Sequence, residues 1–143
     1  MGVFKDAAAL YECLGTLFDT VAQDKEIGPK LGSAGLIIRF AYTEPDAMIT
    51  VDTKTTPADK SRYFTIHHGP CDLKPEVLMT MKADIGHTFW LGKVNLLWAL
   101  ARRQIVAEGP IPKILKLLPI ITPTYKLYPE ILKKIGKGDL ISA

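Results

Sequence analysis

The apolar residues of this chain change their spacing along its length, and that change constrains the fold more than any other feature. From residue 3 to about residue 23, Phe4, Ala7, Ala8, Tyr11, Leu14, Leu17, Phe18 and Val21 recur at helical spacing, with Lys5, Asp6, Glu12, Asp19 and Asp24 largely on the other side. This predicts an amphipathic helix that must pack on something else. Gly28-Pro29 and Gly32-Ser33 punctuate an expected loop, after which the period drops to two: Leu36, Ile38, Phe40 and Tyr42 fall on one face of a strand. The cluster Thr43-Glu44-Pro45-Asp46 is a turn, and Ala47 to Thr53 a second strand, so the two form a hairpin. A third strand is expected near Tyr63 to His67 and a fourth at Val77 to Ala83. Beyond Asp84 the helical period returns, with Ile85, Phe89 and Trp90 before Gly92, then Val94, Leu97, Trp98 and Ala101. Gln104 to Glu108 is short and branched enough for one more strand. Aliphatics and lysines then alternate to the end, with Thr122-Pro123 as a helix start and Pro129 expected to kink or restart that helix. Strands in the middle and helices at both ends, with no internal repeat, indicate one α+β domain over 1–143.

The size agrees. A chain of 143 residues with 48% apolar composition buries about two-thirds of its unfolded surface, so it needs neither disulfides nor a structural metal. The net charge of +3 is too small for a nucleic-acid-binding surface. It is also unevenly spread: residues 1–110 hold 12 Lys/Arg against 13 Asp/Glu, whereas residues 111–143 hold six Lys against Glu130 and Asp139. No apolar run approaches the roughly eighteen residues that span a bilayer. The start, Met1-Gly2-Val3-Phe4-Lys5-Asp6, has neither a secretion core nor a myristoylation pattern, and Ile141-Ser142-Ala143 is no peroxisomal address. Cys13 and Cys71 therefore read as reduced thiols of a soluble, cytoplasmic protein.

Catalytic constellations are sparse. His67 and His68 are neighbours on a strand and point to opposite faces, so they do not share a metal. Asp84 and His87 stand three apart on a helix and could meet, which would suit a small hydrolase or isomerase. Cys71 next to Asp72 lacks a pairing motif, and no phosphate loop, dinucleotide fingerprint or nucleophile elbow occurs. The reading is no enzyme, no metal and no cofactor. The stronger signal is an excess of large apolar residues between Phe89 and Tyr128, which either fill a core or enclose an apolar cavity. The tail lysines form a basic outer face, which is either simply solvated or in transient contact with an anionic membrane surface or an acyl carrier's phosphates.

The stretch from Val77 to about Leu118 resembles the sterol carrier protein 2 family of lipid-binding domains. The residues that carry the likeness are Met79-Thr80-Met81, Asp84, Phe89-Trp90, Gly92-Lys93, Asn95, Ala99, Ile105, Gly109 and Ile114-Leu115-Lys116-Leu117. Leu96 stands where that family commonly has Pro, Pro110 where it has Asp or Asn, and Arg103 where it has a turn glycine. Arg103 implies a different turn, because a residue with a Cβ avoids positive φ. The resemblance, read as the stand-alone bacterial or archaeal type, implies a curved, mainly antiparallel sheet of about five strands covered by helices, with a hydrophobic tunnel between the layers. It implies non-catalytic binding and carriage of fatty acids, fatty acyl-CoA, sterols or similar lipids. The alternative is an accessory or structural subunit of a lipid-processing or acyl-CoA-processing enzyme, docking through the C-terminal helix. The expected lining is Phe89, Trp90, Leu97, Trp98, Ile105, Ile114, Leu118, Ile121, Tyr125 and Tyr128, with Phe40 and Met81 as floor; spacing alone does not separate lining from core. Arg39, Arg102, Arg103 and the tail lysines are candidate partners for a charged head. Residues 120–143 are expected as a helical extension serving as a lid or docking surface.

Overall fold

Asp6 opens the first helix: its carboxylate accepts the amide of Ala9 at 2.9 Å and so satisfies one of the free donors of the first turn. The computed structural model describes residues 2–142; Met1 and Ala143, the two ends of the expected domain, lie outside the described residues. Helix α1 (Ala7–Leu10) continues through a π-helical turn (Tyr11–Gly15) into α2 (Thr16–Gln23). At Gly15 a Cβ would lie 2.8 Å from the ring of His68, so the absence of a side chain there lets the helix approach the sheet edge closely. The hydroxyl of Tyr11, which accepts the amide of Met48, ties the same helical segment to the hairpin, and Asp19, 3.0 Å from His68, ties it to the third strand. Where the glycines and Pro29 predict a loop, the chain forms a short helix, α3 (Ile27–Gly32), because Asp24 accepts the amide of Ile27 and Ile27 and Leu31 are buried.

The five strands are β1 (Ile37–Thr43), β2 (Ala47–Asp52), β3 (Thr65–His68), β4 (Val77–Lys82) and β5 (Ile105–Glu108). Their order is β3-β2-β1-β4-β5, with β1 and β4 parallel and the other pairs antiparallel. Ile38, Tyr42, Ile49, Val51, Val77, Met79, Met81 and Ile105 are buried. Arg39 lies one residue out of step, on the opposite face, where it donates to the hydroxyl of Thr50 at 3.1 Å and to the carbonyls of Cys71 and Leu73. It thereby fastens the connection before β4 across the outer face of the sheet.

Helices α4 (Ala83–Trp90) and α5 (Leu96–Ala101) separate β4 from β5, and Asn95 caps α5 by accepting the amide of Trp98. The turn after α5 corrects the expectation for Arg103: its φ is +59°, so it occupies the left-handed region despite its Cβ, at a cost of about 1–2 kcal/mol. The backbone geometry of that turn prevails over the residue preference. Helices α6 (Ile111–Ile121) and α7 (Thr124–Lys134) and a 3₁₀ turn (Gly138–Ser142) complete the chain. Of the two outcomes expected at Pro129, a kink or a restart, the restart does not occur: α7 runs unbroken from Thr124 to Lys134, with Tyr128, Ile131 and Leu132 buried on both sides of the proline. Helix α7 packs on α2 and α4, whereas α6 touches chiefly α3.

Candidate functional site

The inner face of the sheet is not packed solidly against the helices. Ile38, Phe40, Val51, Val77, Met79, Met81 and Ile105 form the floor of an internal cavity of about 60 Å³. Phe18, Leu31, Phe89, Trp90 and Leu96 wall it, and Ile114, Leu117, Leu118 and Ile121 of α6 cover it. All sixteen lining residues are apolar, and none carries a charge. Three aromatic rings join wall and floor: Phe18 meets Phe40 at 5.2 Å and Trp90 edge-to-face at 5.3 Å, and Phe40 meets Trp90 at 6.3 Å. The cover is held more loosely, since Ile114 is the one fully buried residue of α6.

Of the residues expected to line a cavity, Phe40, Met81, Phe89, Trp90, Ile105, Ile114, Leu118 and Ile121 come together around it. Four do not. Leu97 and Trp98 are 59% and 61% exposed, because α5 turns Leu96 and Ala99 inward and one-residue steps of 100° carry their neighbours to the outside. Tyr125 packs against Gly92 and the edge of Phe89, and Tyr128 is fully buried in the core beside α4. Phe18, Leu31, Ile38, Val51, Val77, Met79, Leu96 and Leu117 are lining residues that the sequence reading missed. The period-two pattern of β1 and β4 puts Ile38 beside Phe40 and puts Val77 and Met79 beside Met81. Nothing local marks Phe18 or Leu31.

The Asp84–His87 pair that helical spacing allows does not form a hydrogen bond. The carboxylate of Asp84 accepts the amide of Val3 at 2.8 Å. His87 is fully buried; its Nε2 donates to the carbonyl of Leu140 at 2.8 Å, which leaves Nδ1 to accept the hydroxyl proton of Tyr128 at 2.7 Å. Burial holds this imidazole below its ordinary pKa. His87 thus fastens α7 and the C-terminal turn to α4 as a neutral ring. Burial likewise raises the thiol of Cys13 to about 11, so it stays protonated. Arg39 is committed to the outer face of the sheet and does not reach the cavity, whereas Arg102 and Arg103 are exposed beyond α5. Among the described residues no cluster of His, Cys, Asp and Glu could hold a metal, and no helix is long and apolar enough to cross a membrane.

No protein-family model matches the chain, and no curated protein sequence matches it. Its structure is similar to that of sterol carrier protein 2 from Yarrowia lipolytica in the apo form, with a TM-score of 0.59 and 14% identity over 83% of this chain and 91% of that one. The solution structure of the sterol carrier protein domain 2 of Helicoverpa armigera gives 0.60 and 16% identity over 85% and 90%. The stereoselective inverting sec-alkylsulfatase Pisa1 from Pseudomonas sp. gives 0.54 and 12% identity over 72% of this chain, but only 15% of the enzyme's own length. The order of the strands, the covering helices and these likenesses establish the fold as that of sterol carrier protein 2.

Proposed function

We propose that the chain binds and carries a long-chain lipid, such as a fatty acid, fatty acyl-CoA or sterol, in the apolar cavity and performs no chemistry on it. The observation that carries this reading is the cavity itself: sixteen apolar side chains and no charge, beneath a helix that is loosely attached. Water gains little in such a space, while each buried methylene contributes about 0.8 kcal/mol, so some fourteen of them supply on the order of 11 kcal/mol before ordering costs. The cavity of about 60 Å³ is much smaller than an occupied ligand site of roughly 300–1,000 Å³. Loading therefore requires α6 to move outward, and a charged head stays at the rim, since the lining offers it no partner. Two free cysteines accord with a reducing, cytoplasmic setting.

A titration of the delipidated chain with palmitic acid tests the proposal. Trp90, in the cavity wall, should change its fluorescence saturably, and Leu118→Trp, which fills the space under α6, should abolish tight binding while the chain stays folded. A flat titration together with an absence of co-purifying lipid in native mass spectrometry would contradict it.

The second reading, an accessory subunit of a lipid-processing enzyme, is favoured by the occurrence of the same fold as part of the alkylsulfatase. In that case α7 is the candidate docking element. Deleting it would be a poor test, because Tyr128 and Leu132 belong to the core. Charge reversal at the exposed Lys126, Lys133 and Lys134 should release an enzyme partner and leave the fold intact.

A further inference from the structure

Helix α5 is the unexplained element. Its inner residues Leu96 and Ala99 are buried, but Leu97 and Trp98 are the most exposed large apolar side chains among the described residues, and they are neighbours. Helical geometry places Ala101 and Arg102 on the same face one turn on, and the guanidinium of Arg102 lies over the Trp98 ring at 4.8 Å. Arg103 and Gln104, which follow, are also exposed, whereas Lys93 before the helix donates to the carbonyl of Ile141 at 2.8 Å. Between Asp84 and Glu130 the sequence holds six Lys/Arg and a single acid, Glu108. A shallow groove walled by Leu100, Arg103 and Ile111 joins this face to the start of α6, the cover of the cavity.

We propose that this face of α5 docks on a lipid bilayer rich in anionic headgroups. An indole and a leucine presented together suit the interfacial region, where amphipathic rings settle at headgroup depth. Arg102 and Arg103 supply the complementary charge, and the stacked guanidinium keeps its charge at the level of the inserted ring. A second copy of the chain fits the face poorly, since pairing α5 with itself would oppose two sets of cations with no acid between them. Because Leu96 of the same helix lines the cavity, docking would bring the bilayer beside the loading route. The surface itself does not depend on what the cavity holds.

Co-sedimentation of the full chain with vesicles tests this. Vesicles of phosphatidylcholine containing phosphatidylserine should bind the chain, pure phosphatidylcholine should not, and added salt should reverse binding. Each basic side chain near an anionic surface is worth about fivefold in affinity, so Arg102→Gln with Arg103→Gly should weaken binding roughly thirtyfold. The second substitution also suits the left-handed backbone at that position, which protects the fold. Brominated lipid in the vesicles should quench Trp98, and the quenching should vanish in Trp98→Phe. The proposal is overturned if the chain ignores phosphatidylserine, if only neutralising Lys133 and Lys134 abolishes binding, or if sedimentation shows a dimer that these α5 variants dissolve. Palmitic acid binding in the absence of vesicles is unaffected by the α5 variants on this account, so failure of docking and failure of lipid binding are separately visible.

Discussion

His87 shows how much one residue can decide. Its two ring nitrogens have one partner each, a carbonyl that only accepts and a phenol that can donate, and this fixes a neutral tautomer at the meeting point of α4, α7 and the C-terminal turn. Phe4 packs edge-on against the ring; burial, reinforced by Lys93, outweighs the Leu140 carbonyl and Asp84, which favour protonation, and depresses the pKa. Between that depressed value and the ordinary one of about 6.5, the unfolded chain binds a proton that the folded chain does not. Stability from this group is therefore present above about pH 6.5 and is lost as pH falls through the folded pKa. Thermal unfolding of the intact chain should decline through this window, and the decline should be smaller in His87→Gln. Tyr128→Phe removes the donor to Nδ1 and leaves a buried acceptor unpaired, which should cost about 1–3 kcal/mol by urea unfolding. A change below a few tenths of a kcal/mol would show that the bond is not as drawn.

At the scale of the element, α6 and α7 are both apolar and lysine-bearing in sequence yet hold the fold differently. Helix α7 places Tyr128, Ile131 and Leu132 in the core, whereas α6 buries only Ile114 and leaves Leu117, Leu118 and Ile121 half-buried over the cavity. Elements with few buried contacts open at low free energy. Amide hydrogen exchange over Ile111–Ile121 should thus be faster than over β1 and β4, and should slow when palmitic acid binds; equal protection of α6 and the sheet would argue against a moving cover. Most elements were legible in the sequence, because the change of period at Leu36 and again at Asp84 brackets β1 to β4; the short α3 was not, since its two glycines and Pro29 read as a loop. The site was legible in part. Phe89, Trp90 and Ile114 follow from their apolar setting, but Trp98 misled, since a six-residue helix gives too short a stretch for periodicity to separate an inward Leu96 from an outward Leu97. Phe18 and Leu31 reach the cavity only through tertiary packing, which no local pattern encodes, and Arg103 adopts a backbone conformation that its residue type disfavours.

For the whole molecule, the excess of apolar residues has three destinations. One part fills the solid core under α2 and α7, where Leu10, Leu14, Leu17, Phe64, Tyr128 and Leu132 are fully buried. Another lines a cavity between the sheet and α6, and a small remainder, Leu97 and Trp98, stands on the outside beside the cations of α5. The chain thus has one half closed by α7 and His87 and another covered by α6, which buries fewer of its residues. A ligand that binds the folded chain alone stabilises it by about 2.7 kcal/mol at a hundredfold excess over Kd, so a loaded chain should melt measurably higher than the delipidated one. The most direct measurement is of contacts between palmitic acid and the methyl-labelled chain by intermolecular NOE. Contacts are expected from the acyl chain to Leu117, Leu118 and Ile121 above and to Val51 and Val77 below. Saturable binding with contacts confined to Leu97 and the outer surface, and none to these five methyl-bearing residues, would contradict lipid binding in the cavity.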